Sequence, residues 1–350
     1  MLPLTTSFYC RPVSAAASQL KRARVSRRMQ PKQEPRKTLG REARRMKILV
    51  TGAAGMLGDS LVPALRHMNH HVRSTDINVL NMEYDYLDVR DYREIWRFAS
   101  CTFKPDLVAH LAAETDVDKC ELDPDHAYRT NALGTQNVAL TCKKLRIPMV
   151  YISTAGVFDG KKDHPYTEFD EPCPINVYGS SKLAGERYVA ELVDEYFVIR
   201  AGWMIGGGRK DKKFVRKILD QIRSGATKIY AVTDRYGTPT YAPAFSIVVR
   251  NLITTGLFGT YHVACKGQGN RFDVAKEILM ITNRTDIDLI PVTSEYFRTS
   301  YPAPRPRSEM MRNYMLELRG LDEMPTWQEA LKQYLHDCYP ELLGSPNGSS

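Results

Sequence analysis

Tyr178 and Lys182 stand four residues apart in Tyr-Gly-Ser-Ser-Lys, a spacing that puts both side chains on one face of a helix. A phenol with a pKa of about 10 is a poor acid or base at neutral pH until a fixed ammonium beside it stabilises the phenolate. Such a pair could exchange a proton with a carbonyl oxygen. Upstream, Ser153-Thr154 closes the apolar run that starts at Met149. A hydroxyl at the carboxyl end of a strand lies at the rim where open α/β sheets bind ligands.

A second group is Thr51-Gly-x-x-Gly-x-x-Gly, with Gly52, Gly55 and Gly58. It sits between the apolar run Ile48-Leu49-Val50 and a helix-periodic set, Leu57, Leu61, Val62 and Leu65. Strand, glycine turn and helix in that order make a dinucleotide-binding fingerprint: a tight turn, a close backbone approach to pyrophosphate, and tight packing of helix on sheet. The helix N-terminus adds amide groups and a dipole that attract phosphate. Asp76 ends a second strand, His71 to Asp76, about 20 residues on. Its carboxylate can accept hydrogen bonds from ribose hydroxyls and would repel a 2′-phosphate, which favours NAD over NADP. Arg73 nearby could offset that repulsion, and a solvent-facing acid at a strand end is the plain alternative. Asp88, in Leu87-Asp88-Val89, is placed to meet the adenine edge or to cap the following helix with Asp91.

The elements that must hold these residues alternate. Helices are expected over Asp91 to Ala99, Pro124 to Leu145 and Val177 to Glu195. Strands are expected at Leu107 to His110, Met149 to Ser153 and Phe197 to Arg200. This rhythm predicts an α/β fold: a Rossmann-type, doubly wound parallel sheet with helices on both faces. After residue 200 the rhythm loosens, with a helix over Lys212 to Ser224 and shorter strands at Ile229 to Val232 and Tyr261 to Val263. Thr326-x-x-Glu329 is a capping box opening a last helix. The expected organisation is a dinucleotide-binding domain over 46–200 and a smaller C-terminal α/β substrate region over 201–338, some of whose elements can return to the main sheet. A polar tail follows at 339–350.

Composition narrows the classes. Among 350 residues, 43% are hydrophobic and 25% charged, the balance of an ordinary globular protein. No apolar run approaches the roughly 18 residues of a membrane span. The seven cysteines include no C-x-x-C pair, so neither a disulfide scaffold nor a cysteine zinc site is expected. His67, His70 and His71 cluster at a helix end and strand entry without a second ligand group, so packing is expected there rather than a metal. The net charge of +9 is local: residues 1–45 hold twelve Lys or Arg against Glu34 and Glu42. The rest of the chain is near neutral, which removes the case for a nucleic-acid partner. Residues 1–45 have transit-peptide composition, yet Met46 opening directly onto a strand is the favoured working start. A cytoplasmic location is expected, or an organelle if the basic segment is a targeting signal.

Together these motifs resemble the extended short-chain dehydrogenase/reductases, and within them the dTDP-4-dehydrorhamnose reductase-like branch. The matching segments are Thr51 to Gly58, Leu87-Asp88-Val89, Pro105 to Ala113, Val117-Asp-x-Cys-Glu121 and Asn131-x-x-Gly134. Further on come Ser153-Thr154-x-x-Val-Phe-Asp-Gly160, Tyr166-x-Glu168 and Pro174-x-Asn-Val-Tyr-Gly-x-Ser-Lys-Leu-Ala-Gly-Glu186. Beyond Trp203 the match is looser, carried by Gly237-Thr-Pro-Thr240 and Arg305-Pro-Arg-Ser308. The resemblance implies reduction of the 4-keto group of a nucleotide-linked deoxysugar by NADH or NADPH. Tyr178 would be the proton donor, with Lys182 lowering its pKa and holding the nicotinamide ribose. Thr154 would hydrogen-bond the carbonyl oxygen, with Ser153 as a substitute. The cofactor would lie along Gly52, Gly55, Met56, Leu57, Gly58, Asp76, Asp88, Val89, Leu111, Ala112 and Ala113. The sugar nucleotide would meet Thr115, Val117, Ser153, Trp203 and Arg305. A homodimer formed through helices is compatible with the resemblance.

One departure stands out. The rhamnose-forming reductases usually carry Asp-Tyr after Ser-Thr, whereas Ala155-Gly156 follow here, so the sugar can differ. Two other functions compete: a nucleotide-sugar epimerase or dehydratase that retains NAD, and a non-catalytic cofactor-binding regulatory subunit. A dehydratase usually has an Asp-Glu pair where Ala155-Gly156 stand, and an intact Tyr-x-x-x-Lys argues against the regulatory role.

Overall fold

The computed structural model describes residues 45–79, 83–211 and 213–343. The expected N-terminal extension, Arg45 apart, and residues 344–350 of the expected tail lie outside the described residues. β1 (Lys47–Thr51), α1 (Gly58–His67), β2 (His71–Asp76) and β3 (Asp85–Tyr86) open the fold. Then come α2 (Tyr92–Arg97), β4 (Leu107–His110), α3 (Val117–Leu122), α4 (Pro124–Tyr128) and α5 (Gly134–Leu145). β5 (Met149–Thr154), α6 (Val177–Leu192) and β6 (Tyr196–Ala201) complete the alternating part. Beyond it lie β7 (Trp203–Ile205), α7 (Phe214–Arg223), β8 (Lys228–Val232), β9 (Tyr236–Gly237), β10 (Pro239–Tyr241), α8 (Ala242–Ile253) and β11 (Gly259–Val263). The chain continues through β12 (Gly269–Asn270), α9 (Arg271–Ile281), β13 (Asp288–Val292), β14 (Ser308–Glu309), α10 (Tyr314–Leu318) and α11 (Trp327–Cys338).

The main sheet has seven parallel strands in the order β11-β6-β5-β4-β1-β2-β3. The strands run near-continuously apolar because both faces are covered. Ile48 and Val50 point to one face, against Leu61 and Leu65 of α1 and Phe245 and Val249 of α8. Leu49 points to the other, with Val138 and Cys142 of α5 and Val189 of α6. Each such fully buried side chain contributes roughly 1.5–3 kcal/mol relative to exposure. Strand order reverses between β1 and β4, which opens a crevice at the carboxyl ends of those strands.

The later region departs from a simple cap. β11, which includes the expected strand Tyr261 to Val263, pairs with β6 in register Gly259↔Phe197 to Val263↔Ala201 and so extends the main sheet past residue 200. The physical reason is the open edge of β6, whose backbone groups need partners, together with the apolar face of α8 that covers the addition. Three small sheets remain, β10 with β7, β13 with β8, and β12-β9-β14. Their registers set Pro239 beside Trp203 and Glu309 beside Gly237.

Helix ends also differ from expectation. The segment 124–145 is not one α-helix: a π-helical turn, Arg129–Leu133, separates α4 from α5 and carries Asn131. π-turns recur at functional sites because they re-aim a side chain. The helix expected to reach Glu195 stops at Leu192. The capping box is formed by Thr326 and Glu329 in both directions. His70 is buried and its Nδ1 accepts from the Met46 amide at 3.2 Å, a packing role. Among the described residues no helix is long and apolar enough to cross a membrane.

Candidate active site

The carboxyl end of β5 delivers Thr154, and the first turn of α6 delivers Tyr178. Asn176 caps α6 by accepting from the Gly179 amide at 2.8 Å. The helix can come this close because Gly179 has no side chain: a Cβ there would lie 2.1 Å from the Gly156 carbonyl oxygen. That contact sets the start of α6, and Tyr178 with it, against the turn that follows Thr154. Burial pushes the Tyr178 phenol up to about 12, and the neighbouring Thr154 side chain opposes the rise. One helical turn on, Lys182 is buried with its ammonium 4.1 Å from the centre of the Tyr151 ring. Burial pulls Lys182 down to about 7, against the supporting charge of Glu186.

Glu186 lies one further turn along and is itself held. Arg200 donates to it at 2.8 Å in a buried ion pair, and the Ser153 hydroxyl also donates to it. Ser153 is therefore held by Glu186, which makes Thr154 the freer of the two hydroxyls. Strand alternation turns adjacent side chains to opposite faces, and Ser153 is spent on Glu186.

The loop after β1 meets the turn after β4 at the crevice. Gly52 takes φ +69°, and a Cβ on it would stand 2.4 Å from the Ala112 amide nitrogen, so the glycine loop and the Leu111–Ala113 turn touch backbone to backbone. At the start of α1, a Cβ on Gly58 would be 2.0 Å from the Ala53 carbonyl oxygen. No side chain caps α1, whose first-turn amides near Met56, Leu57 and Gly58 are free to meet an anion. Asp76 braces this loop: Oδ2 accepts from the Ala54 amide at 3.0 Å and Oδ1 from the Asn78 amide at 2.8 Å. The fit to a dinucleotide is thus a glycine cradle, an open helix N-terminus and an acid at the end of β2. Arg73 is paired with Asp85 rather than with Asp76.

Asp88 does not share in capping the helix: its carboxylate is paired with Arg90 at 2.6 Å, and Asp91 caps α2 by accepting from the Arg93 amide at 2.8 Å. Val89 is buried against Gly134. Asn131 ties the next turn to α6: its Oδ1 accepts from the Glu114 amide at 2.8 Å, and its Nδ2 donates to the Ser181 hydroxyl at 3.0 Å.

The opposite wall comes from the later region. Trp203 donates from Nε1 to Glu309 at 2.7 Å, and the Arg271 guanidinium lies over its ring at 3.8 Å. Burial lowers Arg271 to about 10 and raises Glu309, whose carboxylate is supported by Trp203, Arg271, Arg305 and Lys213. Arg305 is committed elsewhere. It forms a two-pronged pair with Asp118 of α3, with Nη1 to Oδ1 at 2.8 Å, and pins the 303–309 segment across the cleft. Asn176 adds a bond from Nδ2 to the Pro304 carbonyl at 2.8 Å. Thr115 is exposed and Val117 half-buried where α3 begins.

The profile of the family described as RmlD substrate binding domain matches residues 46–339. The chain belongs to this family. The dTDP-4-dehydrorhamnose reductase of Mycolicibacterium smegmatis is 31% identical over 288 residues, covering 82% of this chain and 84% of that protein. The crystal structure of a dTDP-4-dehydrorhamnose reductase from Clostridium acetobutylicum is 37% identical with a TM-score of 0.77, covering 83% of this chain and 99% of that one. That of Bacillus anthracis, in complex with NADP, is 33% identical with a TM-score of 0.77, covering 84% and 99%. As a member of the RmlD family the chain is an NAD(P)-dependent oxidoreductase of the extended short-chain dehydrogenase/reductase type.

In this RmlD-family fold the glycine loop follows β1, Asp76 ends β2 and Thr154 ends β5, while Tyr178 and Lys182 lie in the first half of α6 and Trp203 opens β7. Sequence reasoning missed Arg271, Glu309 and the role of Glu186. Glu186 was visible as the end of the Lys182-x-x-x-Glu run, where helical spacing puts it beside the lysine. Arg271 and Glu309 carry no local signal, since each merely follows a capping asparagine or a serine in the chain.

Proposed function

We propose that this protein reduces the 4-keto group of a nucleotide-linked 6-deoxysugar, as its relatives named dTDP-4-dehydrorhamnose reductase do by name. The observation that carries the reading is the placement of Tyr178 at the start of α6, packed through Gly179 on the turn that follows Thr154, with Lys182 buried one helical turn on. The nicotinamide cofactor held along Gly52 to Gly58, Asp76 and Leu111 to Ala113 supplies hydride. Thr154 and Tyr178 direct their hydroxyls at the substrate carbonyl and stabilise the negative charge that grows on its oxygen. With its pKa raised, Tyr178 still holds its proton at neutral pH and can give it to the alkoxide. An ammonium at Lys182 is costly in this buried setting, and the phenolate left by proton transfer offsets that cost.

Arg271 and Lys213 supply positive charge for the diphosphate, and Trp203 forms the wall against the sugar. Asp76 at the cradle supports NADH over NADPH, because its carboxylate would repel a 2′-phosphate and the neighbouring Arg73 is engaged by Asp85. Ala155-Gly156 give no Asp-Glu pair, which speaks against a dehydratase. Purified protein is expected to oxidise NADH faster than NADPH against 4-keto dTDP-sugars. Failure to oxidise either cofactor across 4-keto dTDP-, UDP- and GDP-sugars would end this reading.

A further inference from the structure

Glu309 is an acid that the reaction outlined above does not use. It stands in β14, set beside Gly237 by the pairing of β14 with β9. One carboxylate oxygen is fixed, Oε2 accepting from Trp203 Nε1 at 2.7 Å. The other, Oε1, takes no hydrogen-bond partner among the described residues. It reaches the carbonyl end of the site: Oε1 lies 3.6 Å from where a Cβ on Gly156 would stand, two residues after Thr154. Its charge is felt by the Tyr178 phenol and disfavours the phenolate. Arg305 is spent on Asp118, and Arg271 lies on the Trp203 ring. A carboxylate pinned by one oxygen, open at the other and beside the proton donor is an acceptor waiting for a donor on the substrate.

We propose that Glu309 is a specificity-determining residue whose open Oε1, beside Gly156 and Thr154, accepts a hydrogen bond from the hydroxyl on the sugar carbon next to the ketone. The inference rests on the ketoreductase reading. In a 4-keto-6-deoxysugar the two carbons flanking the ketone are C5, which bears the methyl-carrying position, and C3, which bears a hydroxyl. C3 is thus the neighbouring donor. A site built around such an acceptor discriminates against an analogue lacking the hydroxyl, because the carboxylate is then left desolvated and unpaired.

The test compares kcat/KM for dTDP-4-dehydrorhamnose and its 3-deoxy analogue in wild type, Glu309→Ala and Glu309→Gln, with the reduced cofactor saturating. Wild type is expected to prefer the hydroxylated substrate by about 10–100-fold. In Glu309→Ala the preference is expected to fall to within threefold. Glu309→Gln keeps the Trp203 bond through its amide oxygen and replaces the open acceptor with a donor. It is expected to lose at least fivefold of the preference at an unchanged melting temperature, so a variant that folds is assured a reading. A preference unchanged in both variants, or equal turnover of the two substrates by wild type, overturns the assignment of Glu309 alone. A wild-type protein inert towards both substrates and the wider 4-keto panel overturns the ketoreductase reading, and this inference with it.

Discussion

The two walls of the cleft are built by different means. The wall from β1, β4, β5 and α6 is made of backbone: Gly52 against Ala112, Gly58 against Ala53 and Gly179 against Gly156, all at separations a side chain would forbid. Its reactive groups sit one or two residues from strand ends or helix starts. The wall from β7, β9, β14 and α9 is made of side chains, with Arg271 on Trp203 and Trp203 on Glu309. On the proposed function, the backbone contacts would hold a cofactor whose shape is constant, and the side chains would meet a sugar whose substituents vary. Damage to the first wall should therefore appear in kcat and cofactor affinity. Damage to the second should appear in KM for the sugar nucleotide.

The comparison can be broken in several places. Tyr178→Phe removes the proton donor, and kcat should fall about 10²–10⁴-fold while the cofactor Kd, read by fluorescence titration, stays within about threefold. A kcat that survives would show that Tyr178 is not the proton donor. Gly52→Ala meets both a positive φ and the Ala112 backbone, so it should cost about 1–3 kcal/mol of stability and weaken cofactor binding at least tenfold. Chemical denaturation and cofactor titration read the two effects, and intact binding would show the loop is not the cradle.

Lys182 gives a test with a definite sign. Its folded-state pKa is depressed to about 7 by burial, so between roughly pH 7 and 10.5 the unfolded chain holds the proton and the folded chain does not. Stability from this group is complete above the unfolded value and is lost as pH falls towards 7. From pH 7.5 to 9.5 the wild type should gain about 2 kcal/mol relative to Lys182→Met in urea denaturation, and equal slopes would show that the lysine is not desolvated. On the far wall, Arg271→Ala should raise KM for the sugar nucleotide about tenfold with kcat within twofold. A drop in kcat instead would move Arg271 to the chemistry. The smallest effect belongs to residues 1–45, whose deletion should leave kcat/KM within twofold, since the charge excess lies there and the catalytic motifs begin after Met46.

Much of the near wall was legible because its chemistry is local. Glycines at 52, 55 and 58 between an apolar run and a periodic helix, and a tyrosine four residues before a lysine, carry their geometry in their spacing. Local spacing misled where a neighbour competed. Ser153 and Thr154 are equivalent as hydroxyls in sequence, yet Glu186, 33 residues away, claims one of them. Asp88 pairs with Arg90, and Arg305 with Asp118 far away in the chain, partners that the motif spacing did not supply.

From sequence alone came the parallel α/β sheet, the glycine turn between β1 and α1, and the placement of Tyr178 and Lys182 one turn apart on α6, because periodicity and helical spacing are properties of a few consecutive residues. Tertiary structure alone decided that β11 returns to the main sheet, that Ser153 bonds to Glu186, and that Trp203 and Glu309, 106 residues apart, share a hydrogen bond. Those outcomes depend on which edges and polar groups find partners when distant segments pack together. A buried carboxylate or an open strand edge exerts that demand only once the chain has folded around it.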